Sequence, residues 1–304
     1  MGDQADKLRK IVKNLGSPAN TGVQSQKKSV AKVITVTSGK GGVGKTNITV
    51  NLAIVLSQMG FKVAILDVDF GFANVDVMLG VTAKYTLLEL IRGERNIFEV
   101  LNDGPYNIQF LSGGSGVEEL IQLDKEHIGE FISNISLLDN IFDVILIDTG
   151  AGLSKNIMSF ILAADEVLLV TTPEPTAITD AYAMIKMISK KDKHRIVKLV
   201  VNKAESYKEA NEILDKLLMV SDKFLSFKLQ KTGYILKDEC IPKAVKQQKP
   251  FCISYPKSQA SHQITELAMN LFCINNEGNN NTNIYGKGIK GFFSRLLSSY
   301  GLQH

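Results

Sequence analysis

The chain has 304 residues, of which 44% are hydrophobic and 22% are charged, and its formal net charge of +4 is too small to indicate nucleic-acid binding but fits an anionic membrane surface. The three cysteines, Cys240, Cys252 and Cys273, form neither a metal-ligand spacing nor a disulfide framework, which indicates a reducing cytosol. No run of residues has the apolar length of a signal-peptide core or of a membrane span, so the sequence predicts a cytoplasmic protein.

The first predicted element in chain order is a short amphipathic helix within residues 1–30. Its apolar side chains recur at helical spacing, and a Gly-Ser-Pro sequence ends the pattern. The apolar stripe consists of Leu8, Ile11, Val12 and Leu15. The polar stretch ANTGVQSQKKS that follows is interpreted as a spacer, because it has little apolar surface to bury.

Short apolar runs alternate with amphipathic stretches from residue 31 to residue 273. The runs KVITVT, KVAIL, NIQFL, FDVILI, EVLLVT and IVKLVVN barely alternate polar with apolar residues, which is typical of strands buried on both faces. Helical patterns such as KTNITVNLAIVLSQM and EANEILDKLLMV lie between them. This order predicts an α/β fold with a doubly wound, mostly parallel sheet flanked by helices, in which ligands bind outside the carboxyl ends of the strands.

Residues 39–46, GKGGVGKT, match the phosphate-loop pattern G-x-x-x-x-G-K-[ST] between a predicted strand and a predicted helix. In such a loop several backbone N–H groups point at one phosphate, and the N-terminus of the following helix adds its dipole. We expect Lys45 to reach the β and γ phosphates and the Thr46 hydroxyl to bind Mg²⁺. The loop also contains a second lysine, Lys40, which the pattern does not require.

Acidic residues end two of the predicted strands. Asp67 and Asp69 follow the apolar run VAIL, and Asp148 follows VILI. Acidic residues at strand ends often only cap turns. Here three carboxylates converge on the edge of the sheet that also carries a phosphate loop. This arrangement favours a site for Mg²⁺ and a reacting water.

With KGGVGKT, DVDFGFANVD and IDTGAG in this order, the chain resembles the deviant phosphate-loop ATPases of the MinD/ParA family over residues 33–272. The resemblance implies a P-loop NTPase of the SIMIBI type in which two subunits enclose two ATP molecules. It further implies that Lys40 crosses to the phosphates of the other subunit, where it stabilises transition-state charge only in the dimer.

The resemblance also implies roles for the remaining site residues. Asp69 matches the residue that positions the attacking water, Asp67 and Asp148 match the Mg²⁺ shell with Thr46, and Asn202 matches an asparagine that recognises adenine, although a strand-end turn former would look the same. Catalysis is thereby assigned to Lys40, Lys45 and Asp69. ATP binding is assigned to Gly39, Lys40, Gly41, Gly42, Val43, Gly44, Lys45, Thr46, Asn47 and Asn202.

Within the family, the stretches TTPEPTAITDAYAMIK (171–186) and AVKQQKPF (244–251) are similar to the FlhG branch, whose members regulate flagellar number. The N-terminal DQADKLR resembles the DQAxxLR motif with which that branch stimulates the GTPase FlhF. The resemblance therefore implies partner-activating roles for Gln4, Leu8 and Arg9. It also implies contact with C-ring proteins of the flagellar basal body.

The chain ends in an asparagine-rich linker, residues 274–283, and a predicted amphipathic helix within residues 284–304. Its apolar residues repeat at helical spacing, and lysine and arginine side chains lie beside them. The stripe consists of Ile289, Phe292, Phe293, Leu296, Leu297 and Tyr300. A helix that follows a polar linker and carries aromatic and cationic residues is typical of a membrane interface. The pattern therefore favours a membrane-targeting helix on the inner face of the bacterial membrane. The alternative is a final helix packed on the domain.

Three other functions compete with this interpretation. A cell-division protein of the MinD branch would have the same fold and switch, but it would lack the N-terminal extension. A DNA-segregating ParA protein would use the basic run of Lys186, Lys190, Lys191, Lys193, Arg195 and Lys198, which is better explained as a solvated helix-to-strand corner. An ATPase of electron transfer would need cluster-ligating cysteines at other positions.

Overall fold

A computed structural model describes residues 30–69, 74–113, 116–120, 123, 125–272 and 286–302. The predicted N-terminal helix, with Gln4, Leu8 and Arg9, and the asparagine-rich linker lie outside these residues. The strands are β1 Lys32–Ser38, β2 Val63–Val68, β3 Asn102–Asp103, β4 Gln109–Ser112, β5 Val144–Ala151, β6 Glu166–Thr171, β7 Ile196–Ala204 and β8 Gln230–Leu236.

The helices lie between these strands and after them. They are α1 Lys45–Gln58, α2 Asn74–Leu79, α3 Leu87–Ile91, α4 Ile97–Val100, α5 Gly116–Leu120, α6 Lys125–Ser136, α7 Lys155–Ala163, α8 Pro175–Lys191, α9 Tyr207–Leu225, α10 Cys240–Lys246, α11 Phe251–Ser254, α12 Gln259–Leu271 and α13 Gly288–Ser299. Short 3₁₀ helices cover Pro105–Asn107 and Leu137–Asn140.

The eight strands form one sheet in the order β3-β4-β2-β5-β1-β6-β7-β8. Every neighbouring pair is parallel except β3 and β4, which are antiparallel at one edge. The prediction of a doubly wound, mostly parallel sheet is confirmed. Because the chain winds outward from β1 in both directions, the carboxyl end of β1 is a topological switch point, and residues 39–44 follow it directly.

Helices cover both faces of the sheet. On one face α1, α2 and α10–α12 bury a cluster that contains Ile34, Val36 and Val200. On the other face α8 and α9 enclose a cluster around Leu169 and Leu199, while α3, α4, α6, α7 and α13 enclose another. Strands that are covered on both sides explain why the six predicted runs were almost continuously apolar.

The C-terminal helix α13 belongs to this fold, since its apolar stripe packs on α6 and α7. Phe293 meets Phe131 edge to face with ring centroids 5.0 Å apart, and Phe292 stacks on Phe160 at 6.1 Å. The five side chains predicted to enter a membrane are all at most 1% exposed: Ile289, Phe292, Phe293, Leu296 and Leu297. The alternative interpretation, a final helix packed on the domain, therefore describes the structure. Membrane insertion of the same face stays a prediction, and it requires that α13 leave this groove.

Polar contacts hold both ends of α13 in place. The Asp139 carboxylate accepts hydrogen bonds from the N–H groups of Ile289 at 2.6 Å and Lys290 at 3.2 Å, so it caps the first turn. At the other end the Tyr300 hydroxyl lies 2.9 Å from Asn156 Oδ1. No described helix is both long enough and apolar enough to span a bilayer.

Candidate nucleotide-binding site

The phosphate loop, residues 39–46, connects β1 to α1 and has the backbone that the pattern requires. Gly42 and Gly44 have φ angles of +77° and +89°, in the left-handed region that favours glycine. A Cβ at Gly44 would lie 2.4 Å from Nδ2 of Asn202, and one at Gly39 would lie 2.5 Å from the backbone carbon of Asp180. Side chains at these two positions would collide with Asn202 and Asp180, so the tight curl of the loop requires glycine there, and a loop of this shape fits a bound phosphate.

Lys45 and Thr46, the first residues of α1, point toward Asp148 at the end of β5. The Thr46 hydroxyl lies 2.6 Å from Asp148 Oδ2, and the Lys45 ammonium lies 3.8 Å from Asp148 Oδ1. Thr49, one turn further along α1, also donates to Asp148, at 3.1 Å. Burial raises the pKa of Asp148, although Lys45 and the two hydroxyls oppose the change. Sequence reasoning missed Thr49.

Asp67 and Asp69 lie beside Asp148, as predicted, because β2 and β5 are neighbours and Asp67 is in register with Asp148. The Asp67 carboxylate accepts hydrogen bonds from the N–H groups of Asp69, Asn74 and Val75, so it anchors the start of α2. Burial raises the pKa of Asp67 to about 7, and the charge of Asp148 adds to this effect. Two buried carboxylates on adjacent strands therefore repel each other.

These donors fit a divalent cation. Thr46, Asp67 and Asp148 supply only oxygen ligands, which Mg²⁺ prefers, and the cation would offset the repulsion between the two carboxylates. Asp69 lies at the open side of the cluster, with its Oδ1 3.2 Å from where a Cβ of Gly150 would be. Asn74 donates to the other oxygen of Asp69 at 3.1 Å. The arrangement holds a carboxylate next to the cation site, where a water would attack a phosphate.

The second lysine of the loop, Lys40, points away from this cluster. Its ammonium donates to Glu174 Oε2 at 2.7 Å and to the Thr176 hydroxyl at 2.8 Å, and its side chain is 39% exposed. Its hydrogen bond and charge lower the pKa of Glu174. Sequence reasoning missed both partners, although they lie in the stretch TTPEPTAITDAYAMIK on which the resemblance was drawn. Lys40 is thus held within its own subunit, at the surface.

A pocket of about 570 Å³ lies on the other side of the loop, between the ends of β7 and β8 and helix α10. Its size and its largely apolar walls fit a nucleoside. The walls are formed by Gly44, Asn47, Ile48, Asn202, Lys203, Ile235, Leu236, Lys237, Asp238, Glu239, Ile241, Pro242, Val245, Lys246 and Phe251. Asn202 and Asn47, which the resemblance assigns to ATP binding, both line this pocket. Three of the wall residues, Val245, Lys246 and Phe251, lie within AVKQQKPF, the second stretch that is similar to the FlhG branch.

The basic run considered for DNA binding is not one surface. Lys198 is buried, where its ammonium lies 2.8 Å from Glu166 Oε2 and donates to the carbonyl of Leu271 at 2.9 Å. Arg195 donates to the carbonyls of Ala164 and Leu162 at the end of α7. The four other lysines are exposed. The corner is therefore solvated, as expected, and two of its six cations are engaged elsewhere.

Comparisons with known proteins agree with this geometry. A model of the ParA family, described as "NUBPL iron-transfer P-loop NTPase", matches residues 29–272. The antiactivator FleN of Pseudomonas aeruginosa is 42% identical over 231 residues, which are 76% of this chain and 82% of FleN. The flagellum site-determining protein YlxH of Helicobacter pylori is 34% identical over 303 residues, which are 99% of this chain and all of YlxH. The septum site-determining protein MinD of Pyrococcus horikoshii, solved with Mg-ADP, is 27% identical with a TM-score of 0.63, over 79% of this chain and 96% of that one.

The words "iron-transfer" in the description of the family model find no support in the described cysteines. A cluster ligand must be a thiolate. Burial raises the pKa of the Cys240 thiol to about 11 and that of the Cys252 thiol to about 12. Both side chains are part of the core that packs on α1 and α12. They fill space in the domain as small apolar groups.

Proposed function

This chain belongs to the ParA/MinD family of P-loop NTPases, and we propose from that premise that it is a Mg²⁺-dependent ATPase that regulates the number and placement of flagella. The observation that carries the ATPase part is the cluster of Lys45, Thr46, Asp67, Asp69 and Asp148 at the mouth of the phosphate loop. The similarity to YlxH, a flagellum site-determining protein, and to the antiactivator FleN supports the regulatory part, and the Mg-ADP bound to a MinD supports the choice of cofactors.

We propose that ATP joins two copies of the chain. Lys40 is the residue on which this depends, because its ammonium lies at the surface on Glu174 and Thr176, where a second copy can approach it. In the monomer the lysine pairs with Glu174, and in the dimer it would pair with a phosphate of the ATP bound to the second copy. The lysine therefore has an anionic partner in both states. The exchange costs little, since the pair that it breaks is exposed.

Size-exclusion chromatography with ATP tests the dimer. Asp69→Ala should bind ATP, hydrolyse it at least tenfold more slowly because no carboxylate orients the water, and accumulate as a dimer. Lys40→Ala should stay monomeric with ATP and lose turnover, while its affinity for MgADP changes less than about threefold, because the monomer does not use this lysine. Glu174→Ala is the matched control, since it removes only the partner of Lys40 and should still dimerise. A monomeric Asp69→Ala protein would contradict the mechanism.

We further propose that the ATP-bound dimer binds the membrane through α13. Burial of its five apolar side chains stabilises the docked helix, so the helix is available to lipid only after release. Helix α7, on which α13 packs, begins at Lys155, after the short loop that follows the end of β5 at Ala151. A change in that loop on ATP binding would therefore act directly on the groove. Two released helices on one dimer bind the same membrane at once, which raises the effective affinity of the dimer for the membrane.

The N-terminal segment is proposed to act on an FlhF-like GTPase, and the dimer to contact C-ring proteins. An amide can orient a water and a guanidinium can offset phosphate charge, which suits Gln4 and Arg9 to a nucleotide site in a partner. The apolar stripe around Leu8 is too short to hold a helix in water, so we expect the segment to fold on binding.

A peptide of residues 1–20 should raise the GTP turnover of an FlhF protein at least tenfold, and Gln4→Ala or Arg9→Ala should each weaken that effect about tenfold. Turnover is measured by phosphate release at saturating GTP. A Lys13→Ala peptide is the control, because it removes a cation outside the motif. Full stimulation by a chain that lacks residues 1–20 would sink this part of the proposal and leave the ATPase part intact.

A further inference from the structure

Strand β7 departs from regular geometry at Lys203, next to the phosphate loop. The pairing of β7 with β8 shifts register between Asn202 and Ala204, so Lys203 is the extra residue of a β-bulge. Its φ of +59° lies in the left-handed region, which is uncommon for a residue other than glycine. Such backbone strain persists only where the surroundings hold it, and it concentrates at functional sites.

The bulge lets two consecutive side chains reach the same loop. In a regular strand neighbouring side chains point to opposite faces of the sheet. Here Asn202 Nδ2 donates to the carbonyl of Val43 at 2.8 Å, and the Lys203 ammonium donates to the carbonyl of Gly42 at 2.7 Å. Asn202 Oδ1 also accepts the N–H of Lys203 at 2.9 Å, which braces the bulge itself.

These two bonds fix two successive peptide planes of the phosphate loop. In a trans peptide the C=O and the following N–H point in opposite directions. Lys203 holds the carbonyl of Gly42, so the N–H of Val43 in the same peptide points away from Lys203. Asn202 holds the carbonyl of Val43, so the N–H of Gly44 points away from Asn202. Gly42 and Gly44 both have positive φ angles, so without such bonds these peptides could rotate readily.

We propose that Lys203 is a positioning residue that preorganises the phosphate loop for the β-phosphate of a nucleoside diphosphate or triphosphate. Its ammonium holds the backbone from behind, and the N–H groups it orients receive the ligand. Asn202 then has two tasks, since it braces the same loop in addition to its proposed contact with the base. The inference rests on nucleotide binding by the proposed ATPase and adds a residue that the phosphate-loop pattern does not contain.

Isothermal titration of the unmodified chain and four variants with MgADP and with AMP tests the proposal. Lys203→Met removes the donor but keeps most of the stem, and it should weaken MgADP binding about tenfold while AMP, which lacks a β-phosphate, is unaffected. Lys203→Arg can still donate to the Gly42 carbonyl and should bind MgADP within about twofold of the unmodified chain. Lys208→Met is the control, because Lys208 is exposed on α9 and, among the described residues, its ion pair is with Glu212 on the same helix.

Lys203→Gly separates positioning from stability. Glycine adopts the observed φ without strain, so the midpoint of thermal unfolding should rise or stay unchanged while MgADP binding falls as in Lys203→Met. An unchanged MgADP affinity in Lys203→Met would overturn the proposal, and an equal loss for AMP would instead assign Lys203 to the nucleoside. If Lys203→Met lowered both the Tm and the affinity for MgADP, and Lys203→Gly restored both, the role of Lys203 would be limited to stability. If the unmodified chain did not bind MgADP, the proposed function itself would fail.

Discussion

Replacing Lys45 with alanine is expected to weaken MgADP binding by about a hundredfold or more. The ammonium belongs to the lysine that the phosphate-loop pattern assigns to the phosphates. Hydrogen bonds to charged groups contribute roughly 1.5–3 kcal/mol each, so the loss of two such bonds corresponds to about 10²–10⁴ in affinity. Isothermal titration with MgADP measures the effect. A variant with the affinity of the unmodified chain would contradict the assignment of the phosphate loop.

A structural effect of the same substitution must be separated from this one. Lys45 is only 8% exposed and lies 3.8 Å from the fully buried Asp148, so its removal leaves a buried carboxylate with less compensation. Lys45→Met combined with Asp148→Asn removes both charges while it keeps volume and hydrogen bonds to Thr46 and Thr49. This double variant should regain thermal stability and still fail to bind ADP in a titration without Mg²⁺, where the loss of a carboxylate proposed to bind the cation plays no part. Recovery of binding along with stability would mean that Lys45 serves the fold rather than the phosphate.

Much of the fold and of the phosphate site could be predicted because the signals are local in sequence. Six strands buried on both faces produced six apolar runs, and the loop between β1 and α1 has its whole pattern within eight residues. Two strands were missed for a local reason as well. β3 has two residues. The edge strand β8, QKTGYIL, has only two buried residues among its seven and so lacks a continuous apolar run.

The contacts that could not be predicted join residues far apart in the chain. Glu174 and Thr176 hold Lys40 across more than 130 residues, and Lys203 holds Gly42 across 161. Lys198 was a partial exception, since a lysine inside a strand that is buried on both faces must find a buried partner, which is Glu166. A β-bulge has no signature in the sequence of β7. Such contacts depend on the sheet order, which local patterns do not specify.

The C-terminal helix illustrates a different limit. An apolar stripe at helical spacing predicts burial but not the surface against which it is buried. Full burial of five apolar side chains contributes roughly 8–15 kcal/mol at most, whether the surface is α6 and α7 or a lipid interface. Under the proposed membrane binding, the two environments would compete for the same apolar face, and contacts of a few kcal/mol that exist in only one of them would decide which is occupied.

Asp139→Ala is expected to increase binding to anionic liposomes in the absence of nucleotide by up to about thirtyfold. Asp139 belongs to the domain and caps the first turn of the docked helix with two hydrogen bonds, so its loss weakens docking and leaves the released helix unchanged. Loss of a helix cap costs roughly 0.5–2 kcal/mol. Docking on the domain and binding to the membrane compete for one apolar face of α13. The whole of this cost therefore shifts the equilibrium from the docked helix to the membrane-bound helix. Cosedimentation with vesicles that contain phosphatidylglycerol measures the effect.

Two further variants make this result specific to α13. Asp222→Ala removes the same charge from an exposed position on α9 and should leave liposome binding as it is, which separates loss of the cap from a general gain of positive charge. Asp139→Ala combined with deletion of residues 284–304 should not bind vesicles at all, because the surface that gained access to lipid is gone. Vesicle binding by that truncated chain would show that another surface binds the membrane. Unchanged vesicle binding by Asp139→Ala alone would mean that α13 is a permanent part of the domain. A helix that exchanges between the domain and lipid must bind lipid more strongly when its cap on the domain is lost.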